Sequence, residues 1–437
     1  MNLRISSLLE RLRSSLFFVP MVAVIVATVL GLVTLAVDRR LDTTLADLPL
    51  GFTSTVESAR TLLGVIAGAT ISFAGIAFSV SLLIIQLASS QFSPRVVHTL
   101  FRDPFNKRVM ALVVGTFTYC VVVLRSVRSA LDPGGDPVIP SISVAIAVVL
   151  GIATILAIVA FINHSAHTMD VSEILERIRR ETTEHIRAEW TPTPPHAGTD
   201  REIPPPSAEP STVIRADRSG WIQQIDRAAI LDCLPVGTTA RVETETGRYA
   251  IEDSRLIVIS PAIDATDLAG ALRGAFVIGQ TRTMQQDVTF GLRQLVDVTV
   301  KALSPGINDP TTAQDAIFHT AAVLSELLRH DPPPAVTIDG SRRLVMAQQP
   351  SYRELVQLAY DEPRRAAAAH PTVCLYLLAT LDSLIESLNA AGLERRTTEL
   401  SRQAGLVAEG CGRSTPLGDD IESVKDAYSH KFKRRDP

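Results

Sequence analysis

Four long apolar runs dominate the first part of the chain and constrain its fold more than any other feature. They cover residues 15–37, 61–88, 109–124 and 142–162. A helix crosses the hydrocarbon core of a bilayer with roughly 20 apolar residues, because a helix satisfies all its backbone groups within the segment. The runs therefore predict a transmembrane domain of four helices within residues 1–165.

Charges between the runs predict the orientation of the chain in the membrane. The N-terminus and the loop at 89–108 are basic, whereas the loops at 38–60 and 125–141 balance Arg against acidic residues. Lys and Arg concentrate in cytoplasmic loops. We expect a multi-pass protein of the bacterial cytoplasmic (inner) membrane with its N- and C-termini in the cytoplasm. The first run has no small-residue cleavage site after it, so we interpret it as a retained span.

The second run carries a line of small residues on one helix face, at steps of four, four, three and four: Gly64, Gly68, Ser72, Gly75 and Ser79. Small residues let helix backbones approach closely in lipid. This face predicts either packing inside the four-helix bundle or a surface for self-association or pore lining. No Asp, Glu, Lys or Arg lies within the four runs. A charged proton relay or substrate site inside the bilayer is therefore not expected.

Two histidines and an aspartate follow the fourth run at helical spacing: His164, His167 and Asp170. They are weak candidates for a metal site or a proton-sensitive switch. The alternative interpretation is a set of polar residues at the membrane interface. We predict no metal and no cofactor for the chain, because it carries no recognisable cofactor motif.

The rest of the chain predicts a cytoplasmic α+β region. An amphipathic helix and a Pro-rich linker occupy 166–210, a small β-domain 211–262, and a mainly α-helical domain with one short hairpin 263–437. Thr246 and Gly247 predict a hairpin turn in the β-domain, and Asp339-Gly340 predicts the hairpin further on. The fold class is thus membrane α-helical, with four transmembrane helices, plus this α+β region with a helical C-terminal domain.

A dense turn lies at residues 301–310 between two apolar helical segments, and its special residues are Ser304, Pro305, Gly306, Asn308, Asp309 and Pro310. Pro305 cannot continue a helix, and Asp309 followed by Pro310 is typical of a helix N-cap and first position. We interpret the turn as a rigid corner, in which a valine at position 306 would be costly if Gly306 has a positive φ. The alternative is a loop that binds a ligand or a partner.

Charge and motifs exclude several classes of protein. The net charge of −4 gives no indication of a nucleic-acid partner, and the four cysteines form no CxxC pair. No GxSxG, Walker A, GxGxxG or HExxH motif occurs, so we do not expect an enzyme. The expected partners are the lipid bilayer and further copies of the chain, while the sequence does not specify an ion or a small-molecule ligand.

Two stretches resemble a known family. They are ATISFAGIAFSVSLLIIQLASSQFSPRVV at 69–97 and GQTRTMQQDVTFGLRQLVDVTVKALSPGINDPTTAQDAI at 279–317. Both are similar to a bacterial predicted membrane protein family of unknown function (domain of unknown function 2254). The resemblance implies the architecture and the membrane location, but no activity.

Two functions follow from these features as expectations. The first is a channel or transport-related homo-oligomer, because a small-residue helix face stands above a large cytoplasmic region. The alternative is a membrane-anchored sensor or scaffold with no transport activity, because the spans carry no charged residues.

Overall fold

The computed structural model describes residues 18–41, 56–91, 104–127, 140–168, 170–196, 203–346 and 349–433. The chain forms two compact units. Among the described residues, one unit comprises 18–41, 56–90, 104–127, 140–168 and 170, and the other comprises 91, 171–196, 203–346 and 349–433.

The regular elements of the first unit, among its described residues, are the helices α1 (Phe18–Leu41), α2 (Val56–Gln91), α3 (Pro104–Leu124) and α4 (Ser141–Thr168). Each predicted apolar run lies in one of these helices, apart from residues 15–17, which fall outside the described part of the chain. Buried apolar side chains from several helices form the core of this unit; Leu63, Tyr119, Val123 and Ala147 are among them.

Polar groups in the first unit bond to one another across the helices. The Thr116 and Thr154 hydroxyls lie 3.0 Å apart, and they join α3 to α4. Asp38 lies just beyond the first predicted run but still within α1. Its carboxylate accepts from the backbone N–H groups of Ile142 at 2.9 Å and Ser143 at 3.0 Å. Asp38 thereby caps the first turn of α4, whose N–H groups have no partner within their own helix.

The second unit contains nine α-helices among its described residues: α5 (Val171–Glu189), α6 (Arg227–Cys233), α7 (Ala269–Gly274), α8 (Val288–Ala302), α9 (Pro310–Arg329), α10 (Tyr352–Ala366), α11 (Pro371–Ala390), α12 (Thr398–Ser414) and α13 (Gly418–Tyr428). A 3₁₀ turn at Glu394–Arg396 and a π-helical turn at Ser429–Lys433 complete the helical elements. Its strands are β1 (Thr191–Pro192), β2 (Thr212–Arg215), β3 (Gly220–Ile225), β4 (Thr239–Val242), β5 (Tyr249–Ala250), β6 (Arg255–Ser260), β7 (Phe276–Gly279), β8 (His330–Asp331), β9 (Val336–Asp339) and β10 (Arg342–Met346).

Helix α5 is the predicted amphipathic helix, and its apolar side is covered. Ile174, Ile178 and Ile186 are buried, because the helix packs against α8 and α9. The residues after it do not begin a free linker. Strand β1 pairs antiparallel with β8, and Arg396 donates a hydrogen bond of 3.0 Å to the Thr193 hydroxyl. The start of the Pro-rich stretch is therefore held against the helical region.

The strands form two larger sheets. The five-stranded sheet has the order β2-β6-β4-β10-β9, with β10 parallel to β4 and the other pairs antiparallel. The hairpin predicted about Asp339-Gly340 is confirmed as β9 and β10, and Gly340 has a φ of 57°. Both strands lie beyond residue 262. The predicted boundary of the β-domain at 262 therefore does not mark the edge of the sheet.

The hairpin predicted about Gly247 is wrong. Strand β4 pairs with β6 and β10, whereas β5 joins a separate three-stranded sheet of order β5-β3-β7. Gly247 does have a positive φ of 81°, but its N–H donates to the Ile222 carbonyl at 2.8 Å. The turn residues thus carry the chain from one sheet to the other.

Helix α11 adds a fifth helix that is long and apolar enough to cross a membrane, beside the helices of the four predicted runs. It is also the most buried of the five, because 56% of the residues in its most apolar stretch are buried. The α11 residues Leu377, Leu381 and Leu388 are buried, and the helix packs against α9 and α12. The predicted count of four spans is therefore not confirmed by length and composition.

Candidate functional site

The corner between α8 and α9 is built by its own polar residues. The Asp309 carboxylate accepts from the Thr312 backbone N–H at 3.1 Å and from its hydroxyl at 2.6 Å. These bonds lower the pKa of Asp309, and Pro310 occupies the start of α9. The predicted N-cap is thus confirmed. The Ser304 hydroxyl donates to the Lys301 carbonyl at 2.6 Å and satisfies a carbonyl at the end of α8.

Asn308, not Gly306, carries the unusual backbone conformation of this corner. Asn308 has a φ of 49°, whereas Gly306 has no positive φ and a Cβ there would meet open space. Gly306 therefore lacks the positive φ that would make a valine costly at this position. The residues from Pro305 to Asn308 are exposed, so the tip of the corner is open to solvent.

A second polar cluster lies in the segment before α8, and sequence analysis did not identify it. Asp287 caps α8 and is only 3% exposed. Its Oδ2 accepts from Arg282 Nε at 2.9 Å and Nη2 at 2.6 Å, and its Oδ1 accepts from the Thr289 hydroxyl at 2.6 Å. Burial raises the pKa of Asp287, and the Arg282 guanidinium opposes that change. Both oxygens of this carboxylate therefore take part in the ion pair with Arg282 and the cap of α8.

Close packing fixes the surroundings of this cluster. A Cβ on Gly247 would stand 2.0 Å from Asp287 Oδ2, so glycine is required there. Arg282 lies over the rings of Trp221 and Phe290, with its Cζ 5.6 Å and 5.1 Å from the two centroids. Nearby Glu245 is partly buried, and burial raises its pKa while Arg248 lowers it.

Glutamine side chains tie the same segment to strand β3. Gln224 Nε2 donates to Gln285 Oε1 at 2.6 Å, and the Ile225 N–H donates to Gln286 Oε1 at 2.9 Å. The Thr246 hydroxyl donates to the Gln286 carbonyl at 2.8 Å. Residues 280–287 therefore join the three-stranded sheet to α8. The one sequence feature that indicated this cluster was Asp287 directly before the apolar start of α8, since Asp before an apolar helix is typical of an N-cap.

The small-residue face of α2 is exposed along its whole length within this chain. No atom of the described residues lies within 4 Å of a Cβ placed at Gly64, Gly68 or Gly75. The Ser72 and Ser79 hydroxyls donate to carbonyls of their own helix, each at 2.9 Å. The bundle instead covers a neighbouring face of α2, with the buried residues Ala59, Leu63, Ala67, Thr70 and Ala77. Among the described residues of one chain, the bundle therefore packs beside the small-residue face and not on it.

The histidine candidates are only partly described. The His164 ring lies 4.6 Å from the Phe105 ring, centroid to centroid. The side chain of His167 falls outside the described residues, and Asp170 is exposed. Within the described part of the chain, no group of three or more His, Cys, Asp or Glu residues could hold a metal ion. A metal site at these positions stays a hypothesis.

Comparison with known proteins gives a family and no activity. The family described as "Predicted membrane protein (DUF2254)" matches residues 13–383. Uncharacterized proteins of Mycobacterium bovis and Mycobacterium tuberculosis are 30% identical over 371 residues, which cover 83% of this chain and 70% of each relative. No solved structure matches the chain. The match covers both the apolar helices and most of the second unit, so the chain belongs to the DUF2254 family of predicted membrane proteins.

Proposed function

We propose that this protein is a channel or transport-related homo-oligomer, in which copies associate through the small-residue face of α2. The exposed glycine positions of this face carry the proposal, because a second helix can approach such a surface closely. The serine hydroxyls of the face are satisfied by their own helix. A dry contact with another α2 therefore leaves none of these hydroxyls unpaired.

The proposal places four helices, α1 to α4, across the bacterial inner membrane, with both termini in the cytoplasm. It treats α11 as a core helix of the second unit. Two polar contacts of α11 support this: the Lys431 ammonium lies 2.6 Å from the Asp382 carboxylate, and the Tyr360 and Thr380 hydroxyls lie 3.3 Å apart. A buried ionisable residue is costly in a lipid-facing helix. Reporter fusions after residues 47 and 201 test the orientation, and a cytoplasmic reporter at 47 would reject it.

The test of assembly and transport compares two leucine variants on α2. Gly68→Leu places a large side chain on the small-residue face, whereas Ala69→Leu places one at an exposed position beside it. We expect Gly68→Leu to reduce both the oligomer and ion flux in proteoliposomes, while Ala69→Leu retains both. Equal assembly and flux in the two variants would remove the support for this face.

The alternative, a membrane-anchored sensor or scaffold, is a separate outcome of the same experiment. An oligomer that depends on Gly68 but conducts no ion would favour it. We propose no enzymatic activity, since the buried carboxylate of Asp287 has both oxygens engaged by Arg282, Thr289 and the α8 backbone.

A further inference from the structure

The two outer strands of the five-stranded sheet differ in how they are protected. Strand β2 has an irregular register between Ile214 and Arg215, and such irregularities discourage pairing with another chain. Strand β9 pairs regularly with β10 on one side, and no described strand lies on its other side. Its sequence, Val-Thr-Ile-Asp, contains neither proline nor lysine.

The hydrogen-bond pattern shows which groups of β9 face the open edge. The Met346 N–H donates to the Ala335 carbonyl at 2.7 Å, so this pair is a hydrogen-bonded pair of the antiparallel ladder. Such pairs alternate along the ladder, and Thr337 opposite Leu344 is the next one. The backbone N–H and C=O groups of Val336 and Ile338 therefore point away from β10, toward the edge.

This arrangement is complementary to itself. If two copies of β9 run antiparallel about an axis at Thr337, Val336 of each copy lies opposite Ile338 of the other. Both residues present edge-facing backbone groups, so each of the two pairs forms hydrogen bonds in both directions. A register centred between two residues would place edge-facing groups opposite groups that already bond to β10. A register centred on Val336 would place Ile338 opposite Pro334, which has no N–H to donate.

Charge and apolar exposure fit the same pairing. Asp339 has a side chain that is 62% exposed, at one end of β9. Arg227 donates to the Pro334 carbonyl at 3.3 Å, at the other end. Antiparallel pairing brings Asp339, whose carboxylate lies 3.7 Å from the Arg342 guanidinium of its own chain, toward Arg227 of the other copy. Ile338 is 61% exposed, and burial of its side chain against the partner strand would add an apolar contribution.

We propose that β9 pairs with β9 of a second copy of this chain, so that the two five-stranded sheets form one continuous sheet. This contact is separate from the α2 face and does not depend on it. The paired edge is short, but anchoring both copies in one membrane raises their effective concentration.

Oxidative cross-linking of the full-length protein in lipid nanodiscs tests the pairing. In a Cys233→Ser background, Thr337→Cys places a thiol at the proposed axis. The two Cα atoms would lie about 4.5 Å apart in a non-hydrogen-bonded pair, which is within disulfide range. With copper phenanthroline and oxygen as the oxidant, we expect a cross-linked dimer. Arg218→Cys is the control, because its exposed side chain lies in a different turn.

Ile338→Pro provides the matched edge variant. It removes an N–H that faces the open edge, so the ladder with β10 should remain intact while the partner contact is lost. We expect the Thr337→Cys cross-link to disappear and the melting temperature to stay unchanged. If the proline variant does not fold, Ile338→Lys replaces it in the same test, because the Ile338 side chain is exposed. Cross-linking of Thr337→Cys no faster than of Arg218→Cys, or unaffected by either change at Ile338, would overturn the proposal.

Discussion

Asn308 and Asp309 together hold the corner between α8 and α9. Asp309 satisfies the first turn of α9, and its N–H donates to the Ala302 carbonyl at 2.8 Å. Asn308 supplies the left-handed conformation that lets the chain reverse. Sequence reasoning identified the cap because Asp before Pro has a specific backbone role. It considered a positive φ only as a condition on Gly306 and did not consider Asn308, although asparagine also tolerates the left-handed conformation.

Valine substitutions separate these two positions. Asn308→Val should destabilise the protein by about 1–2 kcal/mol, because a left-handed residue with a Cβ is strained and β-branching adds to the strain. Gly306→Val should change stability by less than about 0.5 kcal/mol, since its side chain would meet open space. Urea unfolding of both variants measures the difference. A larger loss in Gly306→Val than in Asn308→Val would contradict the assignment.

Glu189, near the end of α5, predicts a pH dependence of stability. Burial raises its pKa to about 7, and Arg227 opposes the change. A carboxyl whose pKa is higher in the folded state favours folding at low pH, and this contribution is lost as the pH rises through about 7. Glu189→Gln should therefore be more stable than the wild type at pH 8, and the advantage should shrink toward pH 5. Melting temperatures across this range measure the effect, and a constant difference would contradict it.

Contact between α5 and α8 is close enough to require a specific glycine. A Cβ on Gly291 would stand 1.9 Å from Thr182 Oγ1. The sequence predicted both helices from their apolar periodicity. It could not predict that they pack together, because residues 190–287 and most of the strands lie between them. The same limit explains the wrong hairpin at Gly247: a local turn signal cannot identify β10 as the partner of β4.

Gly291→Ala should therefore destabilise the protein by about 1–3 kcal/mol through overpacking. Gly270→Ala is the control, because it also lies in a helix but a Cβ there would meet nothing within 4 Å. The control should be neutral or slightly stabilising, by up to about 1 kcal/mol. Adding Thr182→Ala to Gly291→Ala should recover part of the loss, as a double-mutant cycle would measure. If the two changes in the free energy of unfolding are strictly additive, the Thr182 side chain is not the cause of the loss in Gly291→Ala.

At the scale of the whole molecule, the division into an apolar helical unit and an α+β unit was predictable, because it depends on long runs of composition. The family match covers both parts. The count of spans was less secure, since α11 is apolar enough to qualify and its burial becomes evident only from its neighbours. The sequence left open whether the small-residue face of α2 packs inside the bundle or is available for self-association or pore lining. The structure adds that Leu63 and Ala67, on a neighbouring face of α2, are the residues that pack against the bundle.

The central claim is that this membrane protein assembles from copies of itself. Native mass spectrometry of the full-length chain released from lipid nanodiscs measures that assembly directly. The chain has a mass of 47.2 kDa. We expect the wild type at a whole-number multiple of this mass, and Gly68→Leu shifted toward the single chain. A wild-type spectrum that contains only the 47.2 kDa species would contradict the account.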